Sequence, residues 1–200
     1  FNFIYCPENL RVGNAIKSFS EPGRLVVGYR KTKSIADLEK FFKSINKNIV
    51  WMKIESAEIT KHAINSFLAN SVSFINEISS ICEKTNANAR EVEMGLKTEP
   101  RIGKKAFLSP GLPFSGGTLG RDVNYLNHVS EKFKIKNSLI SSIKNSNENH
   151  KNWIYKILQN LILNDRLKTV VIWGYSYTPN TSTLQKSLGI EISKWLNEQE

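Results

Sequence analysis

The chain has 200 residues, an apolar fraction of 40% and a formal net charge of +10 at pH 7, enough to bury a sizeable core. No apolar run approaches a membrane span, and the opening FNFIYCPENL lacks a basic start and a small-residue cleavage site, so the chain reads as soluble and cytoplasmic, with no membrane partner. The charge suits an anionic partner, but the lysines are spread from Lys17 to Lys194 without a dense block, and no RNA-binding aromatic signature or zinc-finger spacing accompanies them, which argues against nucleic acid.

In chain order, FNFIYC, RLVVGY and NIVWMKI are strand candidates, and SIADLEKFFKSI between the last two has helical spacing with Ser34 as N-cap. Strands alternating with helices predict a parallel sheet. From 55 to about 84 apolar residues recur at three and four, as in Ala63, Phe67, Phe74, Ile78 and Ile81, with no Pro or Gly. This predicts a helix of roughly eight turns, the spine of a second domain. NANAREVEMGL follows as a shorter helix ended by Gly95. Cys6 and Cys82 fit no metal-ligand spacing and read as buried structural thiols.

Residues 97 to 120 hold three prolines and five glycines, a connection long enough to be functional. Within it SGGTLGRD sets Thr118 and Asp122 one helical turn apart. Two readings stand: a tight loop bringing backbone to a ligand, or a surface turn leading into a helix near Arg121. Further helices are predicted from about 121 to 131 and about 147 to 163. LKTVVIWGYSY reads as a buried strand, TPNTST as a turn and LQKSLGIEISKWLNEQE as an amphipathic helix. The expected fold class is α/β flanks around an all-α middle, with domains at 1–54, 55–165 and 166–200. Such flanks make poor free-standing layers, so the chain is expected to be the central piece of a longer one.

Five ordered segments, CPENLRVGNAI, SAEITKHAINSFLANSVSFINEI, TEPRIGKKAFL, PFSGGTLGRDV and GYSYTPNTSTLQKS, resemble the UDP-glucose/GDP-mannose (nucleotide-sugar) dehydrogenase family over nearly the whole chain. The resemblance implies the rear of a Rossmann NAD domain, a helical dimerisation domain built on the long helix, and the first βα unit of a C-terminal UDP-binding domain. It implies a nucleotide sugar such as a UDP-hexose as substrate, NAD as cofactor and a homodimer. The Gly-rich turn that grips NAD is not in these 200 residues, and Gly13 and Gly28 do not substitute for it. The residues that would hold NAD are therefore unassigned, and the 200 residues alone are expected to be inactive.

Family members oxidise the sugar alcohol twice, through a thiohemiacetal and a thioester on a cysteine. A lysine and an asparagine on the long helix hold the oxyanion and a water, and an aspartate after the cysteine assists proton transfer. By position these are Lys61, Asn65 and Asp122, while the cysteine falls on Thr118. A threonine hydroxyl has no thiolate-like population near neutral pH, and no histidine stands in the motif to activate it. His62 points about a hundred degrees around the helix from Lys61, and His128 lies beyond the motif. The resemblance further implies substrate contacts at Glu8, Arg101, Phe107, Gly111, Gly116 and Gly117, with one extra residue in KKAFL. Val12, Thr178 and Gln185 replace a glutamate, a lysine and an arginine of the family pattern, while Pro179 and Asn180 persist. Retention of Lys61, Asn65 and Asp122 favours an oxidoreductase lacking the cysteine step; the losses favour a non-catalytic nucleotide-sugar-binding or scaffold paralogue.

Overall fold

In a computed structural model, all residues are described except 1, 2, 8, 9, 11, 12, 31–35, 165–168, 177, 179 and 200. Glu8, Val12, Ser34 and Pro179 therefore lie outside the described residues. The chain divides into two compact units, one comprising Phe1–Ile64 with Thr178–Ser182, the other Asn65–Tyr177 with Thr183–Glu200.

The first unit holds β1 (Ile4–Tyr5), α1 (Ala15–Ser20), β2 (Leu25–Tyr29), α2 (Ala36–Ile45) and β3 (Ile49–Met52), followed by the first turns of α3 (Ile54–Thr85). The strands lie in the order β1-β2-β3. Val26 and Val27 point to opposite faces of β2 and both are buried, so the sheet is covered on both sides. On one side Phe42 of α2 meets Trp51 of β3 edge to face at 5.8 Å. On the other, a Cβ added at Gly28 would lie 2.8 Å from Ala57 Cβ and 2.9 Å from Ile54 Cα. Glycine is there so that α3 can start directly against the strand.

The parallel sheet holds only for β2 and β3, paired from Leu25↔Ile49 to Gly28↔Met52; β1 is antiparallel to β2, with Ile4 opposite Tyr29. A parallel crossover needs a helix that covers the sheet, and α1 between β1 and β2 buries no residue. Cys6, expected buried, is exposed beside this short edge strand, whereas Cys82 is buried.

The second unit is helical, with the rest of α3, α4 (Ala89–Thr98), α5 (Leu119–Lys132), α6 (Ser138–Leu163) and α7 (Leu188–Asn197). Its core joins Ala69, Val123 and Ile143, with Phe114, Leu119 and Ile140 packed around them. The predicted long helix is α3, which ends at Asn86 in the left-handed region. There the Ala87 N–H bonds back to the Cys82 carbonyl, closing the last turn. Gly95 does not end α4, which runs three residues further; its stop precedes Pro100, which disfavours helix in the residue before it.

Helix α6 begins nine residues before the predicted start. Its first turns, NSLISSIKNS, are rich in Ser and Asn, but the Ser141 and Ser142 hydroxyls bond back to carbonyls of the preceding turn. Among the described residues of the strand predicted near 167–177, which are 169–176, no strand forms. These residues pair with no strand, and Val171 and Trp173 are 76% and 98% exposed: a β-prone sequence forms no strand without a partner ladder. Helix α7 starts at Leu188, capped by Ser187, whose hydroxyl accepts the Ile190 N–H, rather than at Leu184. It docks on α6 through the Lys151–Glu191 ion pair and the Tyr155–Trp195 ring contact.

Candidate functional site

Asp122 stands in the first turn of α5 and is completely buried, in a place where backbone N–H groups favour negative charge. Its Oδ2 accepts from the Asn65 side-chain amide on α3, and its Oδ1 from Arg121 Nε at 3.0 Å. A carboxylate only accepts, so the nitrogen of Asn65 faces Asp122 and the carbonyl end of the amide points the other way as an acceptor. Lys61 is half-buried one turn earlier on the same helix.

Thr118 immediately precedes α5 and is exposed; its carbonyl accepts the Asp122 N–H at 3.2 Å, while its hydroxyl makes no capping bond. Both readings of SGGTLGRD thus describe part of the geometry, because the helix starts at Leu119 and Asp122 faces inward. Gly116 is buried at φ 76°, a backbone state that side chains rarely adopt, and its N–H bonds to the Lys186 carbonyl at 3.2 Å. A Cβ on Gly117 would lie 3.8 Å from Gln185 Oε1.

Arg101 and Phe107 are exposed. Arg101 Nε pairs with Glu99 Oε1 at 2.8 Å and its own N–H bonds to the same oxygen, which holds the Glu99 carboxyl below its ordinary range. The structure therefore brings Asn65 and Asp122 together and sets Thr118 one turn from Asp122, while Arg101 is turned to its neighbour.

Several residues that hold the loop between α4 and α5 escaped the sequence reading. Asn76, almost fully buried on α3, accepts the Gly111 N–H at 3.0 Å and donates to the Leu112 carbonyl at 3.4 Å. Asn147 of α6 bonds both the N–H and the carbonyl of Phe114, each at 2.9 Å. His150, one turn on, bonds the Gly111 carbonyl through Nε2 at 2.7 Å. Nearer α4, buried Glu93 accepts from Lys97 and from Ser109, each at 2.6 Å, and from Arg90 at 2.9 Å. The bonds from Lys97 and Ser109 lead in carrying its carboxyl down to about 2. The available signal was spacing: Asn147 and His150 lie three apart on the face that carries Ile143.

The space beside Gly28, at the end of β2, is filled by Ala57 and Ile54, so this glycine packs helix on strand and forms no phosphate cradle. The described residues thus show no fit to the pyrophosphate of NAD at that turn. No helix among them is long and apolar enough to cross a membrane.

Residues 55–149 match the central domain of the UDP-glucose/GDP-mannose dehydrogenase family. The chain is similar to the UDP-glucose 6-dehydrogenase TuaD of Bacillus subtilis, 30% identical over 99% of this chain and 43% of that protein. Against the UDP-glucose 6-dehydrogenase of Rickettsia prowazekii it is 33% identical over 96% of this chain and 45% of that one. Among solved structures, a UDP-glucose dehydrogenase from Pyrobaculum islandicum superposes with a TM-score of 0.85 at 26% identity, over 99% of this chain and 46% of that one. The chain spans less than half the length of these relatives. The matches support the family.

Proposed function

With its central segment matched to the UDP-glucose/GDP-mannose dehydrogenase family, we propose that this chain is part of a nucleotide-sugar dehydrogenase that oxidises a sugar CH–OH of a UDP-hexose-like substrate without a thioester step. The observation that carries the reading is the hydrogen bond from Asn65 to the fully buried Asp122 carboxylate. It fixes which end of the Asn65 amide faces the carboxylate, and so presents the other end to a reacting hydroxyl or water. Lys61, on the same helix face, supplies a positive charge for developing alkoxide. By their positions in the family pattern, Glu8, Arg101, Phe107, Gly111, Gly116 and Gly117 are assigned to the substrate. The cytoplasm is the proposed location.

A nicotinamide cofactor would accept hydride in this family reading, and this chain's described residues do not fit its pyrophosphate at Gly28. The chemistry assigned here is therefore on the sugar side. Thr118 is the reason for stopping short of the acid. A hydroxyl that ionises far above neutral pH cannot capture an aldehyde as a thiolate does, and its exposed side chain contributes at most a hydrogen bond. The same substitution favours the second reading, a nucleotide-sugar-binding scaffold with no turnover.

The test is NADH formed per UDP-glucose consumed by the natural full-length protein, beside Thr118→Cys. One NADH per sugar in the unmodified protein is expected. Two would show that another group captures the aldehyde. No NADH with retained UDP-glucose binding would establish the scaffold.

A further inference from the structure

The segment 110–114, Pro-Gly-Leu-Pro-Phe, cannot satisfy its own backbone, because Pro110 and Pro113 have no N–H and no ladder or helix includes it. Buried side chains from two helices do so instead. Asn76 and His150 take the N–H and the carbonyl of Gly111, and Asn147 takes both groups of Phe114. Buried amides are retained at a cost unless fully bonded, and Asn147 spends both ends of its amide on one backbone residue. The Gly111 carbonyl can only accept, so His150 donates from Nε2 and is the neutral Nε2–H tautomer or the cation. Trp153 stacks on its ring at 5.4 Å and 5°, holding the plane. Phe114 in turn packs on Ala69, Val123 and Ile143. Only Ser115, Gly116 and Gly117 separate it from Thr118.

We propose that Asn76, Asn147 and His150 form a clamp that sets the conformation of residues 111–118, and that Asn147 and His150 are thereby positioning residues for a nucleoside-diphosphate sugar. The inference rests on the nucleotide-sugar reading above for its ligand, but not for the clamp. Two glycines at 116–117 leave the approach to Thr118 without intrinsic stiffness, so its geometry is set by the anchors at Phe114 and at Gly116, whose N–H bonds to the Lys186 carbonyl. Loosening Phe114 or Gly111 then disorders the substrate-facing backbone without touching substrate.

The test uses the natural full-length protein with Asn147→Ala, His150→Leu and His150→Gln. Calorimetry reads the UDP-glucose Kd, and amide exchange reads segment 111–118 against α5 and α6. Asn147→Ala and His150→Leu are expected to speed exchange in 111–118 about tenfold, to leave the centres of both helices unchanged and to weaken UDP-glucose about tenfold. His150→Gln, whose side-chain amide can donate in place of Nε2, is expected to restore both readouts to within about twofold. Exchange that accelerates equally through α5 and α6, or an unchanged Kd with a loosened segment, would overturn the proposal, as would failure of His150→Gln to rescue. An unmodified protein that does not bind UDP-glucose would sink the functional reading and the positioning role together. Exchange localised to 111–118 would then uphold the clamp alone, and its failure to localise would remove that too.

Discussion

Asn65 and Asp122 are 57 positions apart in the chain and share a hydrogen bond whose acceptor carboxylate has no solvent exposure. Removing one partner of such a bond leaves a buried charge short of a donor, which costs more than the bond itself contributes. Asn65→Leu should lower stability by about 1.5–3 kcal/mol, read from the urea midpoint. Asp122→Asn keeps the shape and can still accept from Asn65 but turns an N–H toward Arg121 Nε, so its stability loss should be about 1–2 kcal/mol, while the proposed sugar oxidation by the natural full-length protein falls about a hundredfold. Equal losses of stability and turnover in both variants would reduce the pair to a structural tie.

Glu93 provides the pH-dependent counterpart. Its carboxyl is carried down to about 2 by hydrogen bonds from Lys97 and Ser109, with Arg90 adding to them. A depressed carboxyl contributes stability that is fully present above the unfolded value near 4.3 and is lost as pH falls toward the folded value. Wild-type protein should therefore lose stability between about pH 4.5 and 2. Glu93→Gln, which cannot ionise, should be less stable at pH 7 and show a shallower acid limb over that window. A Glu93→Gln profile parallel to wild type would mean that other carboxylates set the limb.

How much of this was legible varies with what each element depends on. The existence and length of α3 followed from local periodicity alone. Which face packs within the chain did not follow: Phe67, Phe74 and Ile81 stay exposed on an apolar face longer than its flanking layers cover, while the buried positions include Ser66, Ala69, Ser73 and Asn76. Small and polar residues line that side because a helix and a loop approach closely there and need side-chain hydrogen bonds, a tertiary requirement invisible to a hydrophobicity count. For the same reason the Asp122 position could be carried over from a family pattern, whereas the clamp of Asn147 and His150 on Gly111 and Phe114 could not. The exposed stretch around Trp173 shows the converse: β-propensity is readable locally, but a strand requires a neighbour.

Two glycines should respond oppositely to the same substitution. Gly28→Ala would drive a methyl into Ala57 Cβ and Ile54 Cα, with backbone on one side, and should cost about 1–3 kcal/mol. Gly95→Ala lies within α4 with nothing near the added Cβ, and should stabilise by about 0.5–1 kcal/mol. Amide exchange can separate the two, since the first should loosen β2 and β3 and the second should slow exchange in α4. A neutral Gly28→Ala would show that α3 can move off the strand at little cost.

The exposed stripe of α3 carries the last expectation. Phe67, Phe74 and Ile81 recur every seven residues and are 69%, 45% and 57% exposed, so they lie nearly in line along one helix face. An apolar stripe of that length on a protein surface marks an interaction face. A second copy can match it about a two-fold axis, each stripe lying on its own image. The natural protein should therefore sediment as a dimer at micromolar concentration, and Phe74→Glu, which places a charge in the middle of the stripe, should shift it to monomer with the helical circular dichroism retained. A monomeric mass for the unmodified protein would remove the self-associating role of α3, and a Phe74→Glu dimer would move the interface to another face.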